Sequence, residues 1–261
     1  MRAWTSTLLA AAATFTLAGA AAAQEQPLKE PAEAAAPEDT TQEDGGDFDV
    51  SFNVGVASDY VFRGISQTDE GGQLFGGIDI AMPDNVYAGA WVSNVDFSAF
   101  GDTETNVEAD FYIGVKPEIA GFVADFAAIY YAYFNQPATS AELGYFEAKA
   151  ALSRAIGPAS VGGALYYSPE FTGETGQTLY YELNGAYTIS ERFSASAAVG
   201  RQTYSDIEDA DYTTWNIGAT VVLTPNIGLD IRYWDTDEDD LIGSAADLYE
   251  GRAVASLKAT F

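Results

Sequence analysis

Val107-Glu108-Ala109-Asp110-Phe111-Tyr112-Ile113-Gly114-Val115-Lys116 alternates strictly: Val107, Ala109, Phe111, Ile113 and Val115 on one parity, Glu108, Asp110, Tyr112, Gly114 and Lys116 on the other. Successive side chains of a strand point to opposite faces, so this stretch predicts a strand with one apolar face and one charged face. The same period of two recurs along the chain. Val50, Phe52, Val54, Val56, Tyr60 and Phe62 oppose Asp49, Ser51, Asn53, Gly55, Ala57 and Asp59. Leu179, Tyr181, Leu183, Tyr187 and Ile189 oppose Tyr180, Glu182, Asn184 and Thr188. Ala253, Ala255, Leu257, Ala259 and Phe261 oppose Arg252, Ser256, Lys258 and Thr260.

The repeat gives strands at 48–64, 73–82, 86–97, 106–116, 122–134, 143–154, 159–168, 178–189, 193–204, 212–223, 227–235 and 249–261. Short turns such as Pro83-Asp84-Asn85, Ile156-Gly157-Pro158 and Thr224-Pro225-Asn226 alternate with longer, acidic or Gly-rich breaks near 65–72, 98–105, 135–142, 169–177, 205–211 and 236–248. Strands of about ten residues, short turns at one end and longer loops at the other describe an all-β, antiparallel up-and-down transmembrane barrel of about twelve strands. Its long loops are expected outside the cell and its termini in the periplasm. A soluble β-sandwich or lipocalin-like barrel also alternates, and periodicity alone does not exclude it.

Residues 1–23 read as a secretory signal peptide: Arg2, an apolar run from Leu8 to Ala20, then Ala21-Ala22-Ala23. Residues 24–47, rich in Ala, Pro, Glu and Asp, read as a disordered acidic leader, and 48–261 as the barrel. The expected location is the cell outer membrane, reached through the periplasm. Tyr60, Phe62, Tyr87, Phe97, Tyr130, Tyr131, Tyr133, Phe134, Tyr166, Tyr167, Tyr204, Tyr212, Tyr233, Trp234 and Tyr249 gather at strand ends and are expected as interfacial aromatic girdles.

The 261-residue chain has a formal net charge of −28 and contains neither Cys nor His. Such acidity repels phosphates and argues against nucleic acid. Without His, the side chain that titrates near neutrality unassisted, a His-based hydrolase is excluded, and no motif sets a nucleophile beside a base. The chain is therefore expected not to be an enzyme and to need no cofactor. Asp235, Asp237 and Asp239 form the one candidate Ca²⁺ set. The loop lacks the Gly and Glu that an EF-hand requires, having Asp240 and Ala246 at those positions.

Parity places Asp59, Arg63, Asp79, Glu108, Asp110, Asp125, Glu147, Glu182, Asp230 and Arg232 on the polar face, as candidates for lining a pore. Asp49, Lys116, Lys149, Arg252 and Lys258 share that face. Asp59 and Arg63 could form a charged constriction or simply pair at a strand end. A slight acid excess in a barrel narrower than general porins predicts passive diffusion of small hydrophilic solutes with a preference for cations. The rival is a closed structural or adhesion barrel whose loops meet a partner.

Val56-Ala57-Ser58-Asp59-Tyr60-Val61-Phe62-Arg63-Gly64-Ile65-Ser66-Gln67-Thr68 resembles the opening block of the proteobacterial TorF-family porins, formerly a family of unknown function. The similarity continues through Gly76-Gly77-Ile78-Asp79, Tyr87-Ala88-Gly89-Ala90-Trp91-Val92-Ser93-Asn94-Val95-Asp96-Phe97 and Glu108-Ala109-Asp110-Phe111-Tyr112, and more loosely to 261. The resemblance implies an outer-membrane barrel and a pore, without catalytic residues or a solute. Phe261, ending an apolar face, resembles the C-terminal aromatic read by the barrel assembly machinery. The expected surroundings are outer-membrane lipid and lipopolysaccharide.

Overall fold

A computed structural model describes residues 48–138, 140–207, 209–238 and 247–261. The signal peptide and leader assigned to 1–47, together with Asp239, lie outside the described residues. Twelve strands form the wall: β1 (Asp49–Ala57), β2 (Gln73–Met82), β3 (Val86–Asn94), β4 (Val107–Val115), β5 (Phe122–Phe134), β6 (Tyr145–Ile156), β7 (Ala159–Ser168), β8 (Thr178–Ser190), β9 (Phe193–Tyr204), β10 (Tyr212–Thr224), β11 (Ile227–Thr236) and β12 (Arg252–Thr260). Each pairs antiparallel with its neighbours in sequence, and β12 pairs with β1 to close the ring. Closure leaves no strand edge unpaired, so the backbone is satisfied without a second layer. The wall carries on past β12, where Phe261 and Phe52 exchange both backbone hydrogen bonds, at 2.9 and 3.0 Å.

Alternation resolves into an inside and an outside as the parity predicts. Phe52, Val54, Phe111, Ile113, Leu183, Ile189, Leu257 and Phe261 stand exposed on the outer surface, Leu183 and Phe261 at 69%. On the opposite parity Glu108, Asp110 and Glu147 are 0% exposed. A soluble sandwich would bury the apolar parity, so the structure decides against it. Among the described residues, no helix is long and apolar enough to cross a membrane; the helical elements there are four short 3-10 turns.

Two expectations need correction. The first strand stops at Ala57 rather than running to 64, and the chain after it leaves the wall. Residues 61–66 form a small separate hairpin, Val61–Phe62 against Ile65–Ser66, with no ladder to the barrel sheet. Its two-residue turn has Arg63 at φ 47° and Gly64 at φ 88°. Positive φ at both central positions is the turn whose twist suits a tight hairpin. Apolar alternation continues through Tyr60 and Phe62 because the hairpin is itself extended, which is why the period did not reveal the departure.

The aromatic girdle is the second correction. Tyr130, Phe134, Tyr167 and Tyr233 do face outward. Tyr60, Phe62, Phe97, Tyr131, Tyr166, Tyr204, Tyr212 and Tyr249 instead pack inside the barrel, and Tyr133 packs against the same cluster. Tyr87 points into the lumen toward Asp125, and Trp234 shares the inward parity of Asp230 and Arg232. Tyrosine carries an apolar ring and a polar tip, so it serves either face and residue type alone does not sort it.

Candidate channel interior

The lumen has two unlike halves. Toward the short turns the inward side chains are polar and joined in a network, with Asp79, Lys116, Glu182 and Lys258 partly exposed and Asp125, Asp230 and Arg232 buried. Asp125 accepts hydrogen bonds from Lys149 (3.0 Å) and Tyr87 (2.7 Å), with Lys116 at 3.7 Å. Asp79 accepts from Tyr112 and from Asn53 (3.4 Å). Glu182 accepts from Tyr180 (2.8 Å) and Asn184 (3.2 Å). Asp230 pairs with Arg232 at 3.2 Å and accepts from Thr220 at 2.7 Å, while Arg232 reaches on to Asn216 and Ser196. The bases Lys116, Lys149, Arg232 and Lys258 stand among the acids Asp79, Asp125, Glu182 and Asp230.

Toward the long loops the lumen is filled. Here every strand turns a buried residue inward, from Gly55, Phe75, Trp91 and Asp110 round to Gln202, Thr214, Thr236 and Val254. Phe97, Phe100, Leu143, Phe171, Ala210 and Leu248 fold in from the loops and complete an apolar cluster with the hairpin residues Tyr60, Phe62 and Ile65.

Arg63, at the hairpin tip, is the centre of this half. The hairpin leaves the wall between β1 and β2, yet Arg63 contacts β6 to β9 on the far side. Its guanidinium donates to both Glu147 oxygens (3.0 and 2.9 Å) and to Gln202 Oε1 (2.9 Å). It also lies over the rings of Tyr180 (4.2 Å) and Tyr166 (5.1 Å). Burial by itself would lower the Arg63 pKa, but the Glu147 carboxylate outweighs it and raises the pKa, so the guanidinium stays charged. Nearer the wall, Tyr60 donates to Glu108 at 2.8 Å. Asp59 pairs with Arg252 at 3.1 Å and accepts from Ser66 (2.7 Å) and Thr68 (2.8 Å). Asp59 and Arg63 therefore do not pair with each other; the turn between them sends each to a different wall.

All ten residues chosen by parity face the interior, but in two groups. Asp79, Asp125, Glu182, Asp230 and Arg232 belong to the wet half; Asp59, Arg63, Glu108, Asp110 and Glu147 belong to the filled half. Both Asp110 carboxylate oxygens are buried without a hydrogen-bond partner. What sequence reasoning missed is the tyrosine system. Tyr60, Tyr87, Tyr112, Tyr131 and Tyr180 each donate a hydroxyl to a lumen carboxylate, so acids here are held by phenols as well as by bases. Gln202 was missed too, because β9 mixes small and polar residues on both faces.

Of the candidate Ca²⁺ set, Asp235 and Asp237 belong to the described residues and Asp239 does not. Asp235 accepts from Thr236 N and the Tyr233 hydroxyl beside it in the chain, and Asp237 accepts from Thr213 N across on β10. No group of three His, Cys, Asp or Glu among the described residues is arranged to hold a metal.

The fold is shared with solved porins. The structure is similar to the KdgM porin, with a TM-score of 0.55 at 8% identity, covering 81% of this chain and 99% of that one. It is similar to the NanC porin at 0.54 and 10% identity, covering 82% and 99%. A KdgM porin in complex with disordered oligogalacturonate matches at 0.54 and 7% identity, covering 81% and 98%. At these identities the likeness concerns architecture, a closed antiparallel barrel of porin type. No curated protein matches the chain in sequence. The model of the family Gcw_chp, described as bacterial protein of unknown function, matches residues 41–261, and the chain belongs to that family.

Proposed function

We propose that this protein is an outer-membrane channel for passive diffusion of small hydrophilic solutes, with a preference for cations. The carrying observation is the ladder of paired charges and phenols in the half of the barrel toward the short turns, where Asp79, Lys116, Glu182 and Lys258 keep partial contact with solvent. An outer belt of exposed Val, Ile, Leu and Phe suits contact with lipid and lipopolysaccharide. Assembly through Phe261 belongs to the same reading, as does the resemblance of residues 56–68 to TorF-family porins.

The charges in the wet half are balanced. Cation preference would come from Glu108, Asp110 and Glu147, which only Arg63 offsets nearby, and from the acidic loops. Carboxylates in a low-dielectric passage raise the local cation concentration. This excess also speaks against a polyanion such as oligogalacturonate as the solute. The rival reading, a closed structural barrel, draws its support from the filled outer half.

Folded protein in a planar bilayer under a KCl gradient separates the two. A reversal potential toward K⁺ is expected, with Glu108→Gln/Asp110→Asn moving it toward zero, and less so in concentrated salt as screening grows. Anion selectivity would overturn the preference. Absence of openings from both the folded parent and a variant with the hairpin removed would favour the closed barrel.

A further inference from the structure

We infer that the hairpin Asp59–Thr68 determines what this channel passes, and that Arg63, docked on Glu147 and Gln202, is its latch. The inference rests on the channel reading above. It follows first from geometry: the hairpin crosses the lumen, and with it seated Glu147 and Gln202 are 0% exposed. No hydrated solute passes a lumen whose every strand contributes a buried side chain at that end. Permeation therefore requires the hairpin to move.

Its attachment is of a kind that can be released. The hairpin bonds its backbone mainly to itself, with Gln67 N donating to Tyr60 O at 2.6 Å. The contacts that seat it in the lumen are side-chain contacts, apart from the link at its base, where Asp96 N donates to Gln67 O at 2.8 Å. Leaving the lumen breaks no barrel ladder, so the wall survives the movement. The latch is a buried ion pair, and a buried pair gains little net free energy because desolvation opposes the attraction. Asp110, buried and unpartnered beside it, is relieved when water enters. The sealed state is thus specific in its contacts without being deep.

Gly64 gives a way to unseat the hairpin without touching a charge. A Cβ there would stand 2.5 Å from both Thr214 Oγ1 and Thr236 Cγ2, on a backbone at φ +88°. Three variants test the inference: Gly64→Val, the pair Arg63→Ala/Glu147→Gln, and replacement of residues 59–70 by a short Gly-Ser loop. The last is permitted by the pairing of Ala57 with Gln73 across the strand ends. Barrel formation is checked for each by heat-modifiable migration in gels, and single-channel conductance is then recorded in planar bilayers.

The parent should be closed or open only briefly. Each folded variant should conduct for longer, the loop replacement by about tenfold or more in mean current, because it removes the segment that crosses the lumen. Equal conductance in parent and folded variants would overturn the role of the hairpin and leave the channel reading standing. Silence from every folded variant would overturn both.

Discussion

Leu183 and Asn184 are chain neighbours on opposite faces of β8, which makes them a sensitive test of the lipid face. Leu183 is 69% exposed and lies near the middle of a strand running from Thr178 to Ser190. Leu183→Arg places a charge near the bilayer midplane, at a cost of about 2–4 kcal/mol. At about 1.4 kcal/mol per tenfold this lowers the folding constant by about 30- to 700-fold. Ile189 lies on the same face six positions on. At about 3.4 Å per residue and a tilt of about 40°, that is about 16 Å nearer the short-turn rim. The apolar band is only about 25 Å tall, so Ile189→Arg reaches its edge and should cost about 0–1 kcal/mol. Asn184→Arg enters the wet half beside Glu182, which already accepts from Asn184 at 3.2 Å, and should be tolerated. Urea titrations of folding into lipid vesicles measure all three. Equal losses at 183 and 184, or a cost at 189 as large as at 183, would refute the assignment of faces and the depth argument with it.

Close packing inside the wall gives another expectation. A Cβ at Gly200 would meet the Tyr180 hydroxyl at 2.1 Å, so Gly200→Val should destabilise the barrel by about 1–3 kcal/mol, and adding Tyr180→Ala should recover part of the loss. No recovery in the double variant would show that the clash is elsewhere. Removing Arg232 leaves Asp230 buried without its base, so Arg232→Met should cost about 3–5 kcal/mol in the same titrations. Arg232→Met combined with Asp230→Asn should cost less; a double variant as damaged as the single one would refute the pairing argument.

Much of the wall was legible in the chain because a strand has only one periodicity to express. Glu108 and Asp110 against Phe111 and Ile113 determine strand, faces and membrane depth together, and the short turns delimit the hairpins. For β2, β5, β7 and β9 the boundaries read from alternation coincide with those observed. The lumen charges were legible by the same parity. Their partners were not: Arg63 meets Glu147 across 84 residues and Gln202 across 139, separations fixed only by ring closure. Tyr131 and Tyr130 are neighbours of one residue type, yet one packs in the lumen and the other faces outward. Parity separates that pair, but only closure and the seated hairpin decide that the inner one is buried. The departure of the chain after Ala57 is the clearest case. Tyr60 and Phe62 look like a continuing lipid face because an extended segment reads alike in a wall or across a lumen. Only the volume enclosed by twelve strands, which unfilled would leave apolar loop side chains in water, determines that this segment turns inward.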